Sequence, residues 1–123
     1  MTTANQPVSV RKQVDQLVAM LREGLTMEAF EQLYHPDVMM QEKCQMPTIG
    51  KAANRLRLDA FFANLIEFRR LEHLNTTYGH QVTTTEWHYD YTHREWGVCN
   101  FFQVAIQHWH NGLIIKEKFY HTR

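Results

Sequence analysis

The stretch Gln107-His108-Trp109-His110-Asn111-Gly112-Leu113-Ile114-Ile115-Lys116-Glu117-Lys118-Phe119-Tyr120-His121 decides the fold. One apolar and aromatic run reaches an Asn-Gly pair, and a second run leaves it. Asn-Gly between two alternating segments predicts a hairpin, because both residues tolerate positive φ. Alternation then places Glu117, Phe119 and His121 on one face of the last strand, and Lys116, Lys118 and Tyr120 on the other.

Upstream of this hairpin, from Leu71 onward, Thr, Tyr, Val, Trp and Phe dominate, which is strand chemistry. Strands are predicted at about 72–78, 82–92, 98–109 and 113–121, with turns at Gly79-His80 and 94–97. The part before Leu71 reads as helical. Val10, Val14, Leu17, Val18 and Leu21 recur on one face of a first helix, which Ser9 caps and Gly24 stops. A second helix is predicted over 27–34, capped by Thr26 and ended by Pro36. Residues 37–42 read as a short strand and 43–50 as a loop. Residues 51–68 hold no Gly or Pro and read as a long third helix, apolar on more than one stripe and so buried on two sides. Helices followed by long, bent strands predict an α+β half-barrel or cone, a sheet curled around a helix.

At 123 residues and 44% hydrophobic content the chain is one domain with a core of its own. The domain is expected over 8–123, with 1–7 as a flexible tail. A formal charge of zero argues against nucleic acid and anionic membrane surfaces as partners. The basic residues Arg55, Arg57, Arg69 and Arg70 are interleaved with Asp59, Glu67 and Glu72, as on a solvated face. No run is apolar enough to span a membrane, and the N-terminus lacks the pattern of a signal peptide. Cys44 and Cys99 form neither a disulfide framework nor a metal pair. A cytoplasmic protein with reduced thiols is expected. His108-x-His110 is the only metal-like spacing, and no third ligand follows it closely, so no metal is assigned. Neither a Gly-rich phosphate loop nor a nucleophile elbow is present, and no cofactor is expected.

Three segments carry a family resemblance. Leu33-Tyr34-His35-Pro36-Asp37-Val38 resembles a Y-x-x-D-v lead into a first strand. Ile49-Gly50-Lys51-Ala52-Ala53 resembles the x-G-x-x-x-I start of a long helix. Asn111 to Tyr120 resembles a closing d-G-k-I-x-e-x-x-x-Y. Together, in this order, they resemble the NTF2-like superfamily, and within it the SnoaL-like group related to polyketide cyclases and ketosteroid isomerases. The resemblance implies an α+β cone, with three N-terminal helices packed on a strongly curved antiparallel sheet around an apolar pocket. It implies a small apolar or polycyclic ligand and a homodimer formed through the outer sheet face. For function it implies a cofactor-free acid/base isomerase, cyclase or dehydratase. The alternative is a non-catalytic ligand-binding or dimeric interaction module of the same fold.

Aligned from Asp37, Glu42 falls where ketosteroid isomerases carry their catalytic base. A carboxylate at an apolar cone mouth suits general acid/base work; the other reading is an exposed Glu opening a loop beside Lys43. The isomerase's two oxyanion donors would fall near Leu17 or Val18 and near Val104 or Ala105, and neither donor is present. The family's pocket aromatic on the last strand maps to His121, which would face Glu42 as an acid/base partner or else sit at a frayed end. Glu86, His88 and Asp90 alternate with Trp87, Tyr89 and Tyr91. With Glu95-Trp96 as the turn, Glu86 and His88 share a face with Gln103. Either that polar face lines a wet pocket, or the reverse holds and the rings lie inside. The expected catalytic set is Glu42, His121 and His88. The expected substrate-binding set is Phe61, Phe62, Glu86, Trp87, Gln103, Glu117 and Phe119.

Overall fold

In the computed structural model, which describes residues 9–122, Asn111 and Gly112 adopt φ of 51° and 80° and join two long strands. The expected tail, residues 1–7, lies outside the described residues. The chain runs α1 (Val10–Arg22), α2 (Thr26–Leu33), β1 (Tyr34–Glu42), β2 (Thr48–Ile49) and α3 (Lys51–Ala63). It continues through β3 (Leu65–Gly79), β4 (Val82–His93), β5 (Gly97–His110) and β6 (Leu113–His121). The sheet order is β2-β1-β6-β5-β4-β3. β3 to β6 form an antiparallel meander, but β1 lies parallel to β6. The sheet is therefore mixed, not wholly antiparallel as expected. The long return through α3 and three strands brings β6 alongside β1 in the same direction.

Several boundaries differ from the sequence reading. α3 stops at Ala63, where Asn64 caps it, and residues 65–71 belong to β3. Leu65, Phe68 and Leu71 find β4 partners in His93, Tyr91 and Tyr89, so cross-strand pairing overrides helix propensity. Nor is α3 buried on two sides: Leu56 is exposed, and Asn54 is its fully buried side chain. β1 begins at Tyr34, before Pro36, and β2 lies within the expected loop. Leu25, not Thr26, occupies the cap position of α2, without a side-chain bond. Ser9 does cap α1, accepting from the Lys12 amide at 3.4 Å.

The β4–β5 hairpin decides which side chains face inward. Its loop holds three residues, Arg94 to Trp96, and Gly97, at φ +73°, pairs with His93. A three-residue loop followed by a left-handed residue is a standard hairpin solution. A two-residue Glu95-Trp96 turn would shift the register by one and flip every β5 side chain. In the actual register Trp87 pairs with Gln103, Tyr89 with Phe101 and Tyr91 with Cys99. These odd-numbered residues face the concave side, where most are buried.

The narrow end of the cone is packed solid. Val14, Leu17 and Val18 of α1 and Phe30 and Leu33 of α2 meet Val38, Trp87, Trp109 and Ile114 of the sheet. The wide end carries a smaller apolar group, Tyr91, Cys99 and Phe101, with Phe61 and Leu65 against it. Between α3 and β1, Asn54 acts as a staple. Its amide donates to the carbonyls of Val38 at 3.3 Å, Thr48 at 3.0 Å and Gly50 at 2.8 Å. The Val38 and Gly50 carbonyls keep one backbone donor each, from the Gly50 amide at 2.8 Å and the Asn54 amide at 3.1 Å, but Asn54→Ala removes all three side-chain bonds that tie α3 to β1 and should lose about 2 kcal/mol of stability in urea unfolding.

Candidate functional site

A cavity of about 880 Å³ opens between α3 and the concave sheet. The hairpin register builds its apolar wall: Tyr89 and Tyr91 on β4, Phe101 on β5 and Phe119 on β6, facing Phe61 and Phe62 of α3. Edge-on contacts, 5.3 Å between Phe61 and Tyr91 and 5.8 Å between Tyr91 and Phe101, tie these rings together.

The polar groups converge at one edge. β1 ends at Glu42 because Lys43 turns into positive φ, 50°, and the Gln45 amide closes back on the Glu42 carbonyl at 2.9 Å. Glu42 sits opposite Phe119 on β6, and His121 lies at the end of the same strand. The two side chains meet, with His121 Nε2 3.3 Å from Glu42 Oε2. The imidazole is buried against Phe101, ring centroids 5.1 Å apart, and the carboxylate is partly open to the cavity. A carboxylate only accepts, so this contact places the imidazole proton on Nε2 when His121 is neutral. Arg57 of α3 stands 4.0 Å from the other Glu42 oxygen and is itself half-exposed. Gln103, 8% exposed and the register partner of His121, completes this edge.

Of the residues expected at the site, Glu42, His121, Phe61, Phe62, Gln103 and Phe119 line the cavity. Glu86 and His88 do not. They lie on the convex face, where His88 stacks on Phe102 at 4.7 Å and bonds Asn100 at 2.6 Å. In the three-residue register Gln103 shares a face with Trp87, Tyr89 and Tyr91, so Glu86 and His88, on the other face of β4, are parted from it, and His88 does not reach the cavity where a catalytic role was expected. Trp87 faces inward but is buried in the solid end of the cone, its indole N–H on Thr85 Oγ1 at 3.0 Å. The expected contributions missed Tyr89, Tyr91, His93 and Trp96. Tyr89, Tyr91 and His93 continue the odd-numbered face of Trp87, a period-two signal readable in sequence. Trp96 left no signal, since a loop residue has no predictable face. The His108-x-His110 pair sits on the convex side near the turn. Among the described residues no group of three or more His, Cys, Asp or Glu side chains converges.

Glu117 is buried behind the cavity. Its carboxylate accepts from the Tyr34 hydroxyl and from Gln107 Nε2 at 2.8 Å. Gln107 in turn accepts from Thr83 Oγ1 at 2.8 Å and donates to Thr85 Oγ1 at 3.0 Å. The Trp109 indole N–H reaches Thr83 Oγ1 at 2.9 Å. No cation joins the carboxylate among its recorded partners, so burial pushes its pKa up to about 7 against the pull of its two donors. Burial, and then the Glu117 charge, raise the Tyr34 and Tyr89 hydroxyls well above the usual tyrosine value, keeping both neutral. Native Glu117 holds a proton that the unfolded chain has released between its ordinary 4.5 and about 7. Stability from this group should therefore fall as pH rises through that window, by a few kcal/mol (roughly 1.4 per pH unit), and level off above it. In thermal unfolding at pH 5 and pH 8, Glu117→Gln should show a smaller difference between the two than the wild type.

No protein-family model matches the sequence, and no curated protein sequence matches it either. Solved structures do match. A Mesorhizobium loti protein provisionally named a SnoaL-like polyketide cyclase superposes with a TM-score of 0.84 at 19% identity, over 92% of this chain and 99% of its own. An NTF2-like protein of unknown function from Burkholderia pseudomallei gives 0.76 at 11% identity, over 91% and 90%. A Rhodopseudomonas palustris protein provisionally named an isomerase gives 0.68 at 11% identity, over 93% and 90%. At these identities the likeness is one of architecture. The helices, the mixed curved sheet and the cavity beneath it give this chain the NTF2-like fold, shared with the SnoaL-like proteins.

Proposed function

We propose that this protein binds a small apolar or polycyclic molecule in the cone and moves a proton on it without a cofactor, with Glu42 as the base. The observation that carries this reading is the Glu42–His121 contact, 3.3 Å across the edge of an aromatic cavity. Glu42 stands within the space a ligand would fill, and the buried imidazole holds one carboxylate oxygen in place. A general base needs reach first and a matched proton affinity second, and the place of Glu42 in the cavity lining supports the first. In the step, Glu42 takes a proton from carbon next to a carbonyl; the C–H electron pair becomes a C=C bond and the carbonyl π pair moves onto its oxygen. Where the enolate is conjugated with a further double bond, return of the proton from Glu42 to its far carbon completes an isomerisation; where a β-hydroxyl is present, the enolate pair expels it, and it leaves as water with the proton from Glu42, completing a dehydration. Gln103, neutral and close to the same edge, bonds the Tyr89 side chain, and these two neutral groups are the ones nearest to hand for the developing oxygen charge. The provisional names of two structural neighbours, a cyclase and an isomerase, agree with this reaction class.

The test needs no knowledge of the natural substrate. Polycyclic and terpenoid ketones that raise the melting temperature should be incubated with the protein in D₂O, and loss of α-protons followed by NMR. The wild type should accelerate exchange, and Glu42→Gln should lose at least about a hundredfold of that rate while still binding. Ligands that bind without any accelerated exchange would instead make the protein a non-catalytic carrier of the same fold.

We further propose that two copies pair through the convex face. Val98, Phe102 and Tyr120 are exposed there, Phe102 at 63%, and Tyr120 pairs with Val104 next to it. A sheet face with such rings in the open fits a self-complementary two-fold contact. Sedimentation at micromolar concentration should show a dimer for the wild type and a monomer for Phe102→Glu. No helix among the described residues is long and apolar enough to cross a membrane.

A further inference from the structure

His93 lies at the last position of β4, away from the Glu42–His121 edge, and it also lines the cavity. It is 3% exposed. The hairpin loop fixes the tautomer of its neutral ring. The Glu95 amide donates to His93 Nδ1 at 3.2 Å, so Nδ1 must be bare and the proton of the neutral ring sits on Nε2. That Nε2 is buried and has no hydrogen-bond partner among the described residues. A buried donor left without an acceptor is destabilising, so an arrangement of this kind calls for an explanation. The ring itself is held firmly. It stacks on Trp96 at 3.7 Å and 11° and on Phe61 at 5.6 Å and 28°. Both of these rings line the same cavity. Trp96, on the three-residue loop, is 44% exposed, so this stack borders both the cavity and the surface.

We infer that His93 is the ligand's second polar anchor: its Nε2–H donates to an acceptor oxygen on a flat apolar molecule whose rings lie along Phe61, Tyr91 and Trp96. The inference rests on the cavity being the ligand site, and it narrows the ligand class. The molecule carries a carbonyl, quinone or ether oxygen at the His93 end, in addition to whatever group meets Glu42. A pure hydrocarbon would bury the same aromatic surface and leave the donor unanswered. Discrimination therefore comes from the unpaired site group, and the apolar contact itself contributes little to it.

A matched pair of probes, fluorene and 9-fluorenone, tests this assignment, since the two differ by one carbonyl. Dissociation constants are measured by fluorescence or calorimetry for the wild type and for His93→Phe, which keeps the stacked ring and removes the donor. The wild type should prefer the ketone by roughly fivefold, as one neutral hydrogen bond supplies, and His93→Phe should bind both alike. Equal binding of the two probes by the wild type, or a preference that survives His93→Phe, overturns the role of His93 while leaving the cavity as the site. Binding of neither probe overturns the cavity reading and this inference together. Long-range ¹H–¹⁵N spectra of the unliganded wild type give an independent check. They should show a protonated Nε2 and a bare Nδ1, and the opposite tautomer would sink the assignment whatever the variant does.

Discussion

The site depends on one constraint, the register of β4 against β5. Gly97 takes a positive φ of 73° and closes a loop of three residues, which sets His93 opposite Gly97 and every later pair in step. Strand side chains alternate, so this one count decides the content of the cavity. With it, Tyr89, Tyr91, Phe101 and Gln103 point inward, and Glu86, His88 and Phe102 point out. A loop one residue shorter would turn the β5 face over and leave the cavity with a different wall.

The cone divides its polar and apolar groups by depth. At the narrow end the helices press large side chains onto Trp87 and Trp109, and the indole N–H groups, which must find acceptors, are met by Thr85 and Thr83. Those threonines connect through Gln107 to Glu117, so a continuous hydrogen-bonded chain runs through buried protein. The donors satisfy the carboxylate oxygens, but they do not offset the loss of water around a charge, and the group is held near neutrality in proton affinity. At the wide end a cavity separates α3 from the sheet, and aromatic side chains of both line it. The packed end gives rigidity to strands whose far ends carry Glu42, His93 and His121.

Much of this was legible in the chain. Asn111-Gly112 announced its hairpin, and the three motif segments together indicated a cone. The alternation of Glu117, Phe119 and His121 put these side chains on one face, which is where they lie. The failures share a cause. The third helix ended early because Leu65 to Leu71 gain strand partners that a local reading cannot see. The grouping of Glu86 and His88 with Gln103 failed because a hairpin loop of two and one of three residues look alike in sequence. Asn54 drew no notice, since nothing local shows that three carbonyls from separate segments converge on it.

By itself the sequence determined the kinds of element, their order and the two faces of each strand, because turn chemistry and side-chain alternation act over a few residues. Only the tertiary structure decided which face turned inward and which distant groups met. Glu42 and His121 are 79 residues apart in the chain and touch because β1 is laid parallel to β6. His93 has a fixed tautomer because a loop amide two residues later folds back onto it. Such contacts arise from long-range pairing and register, and no local pattern of residues encodes them.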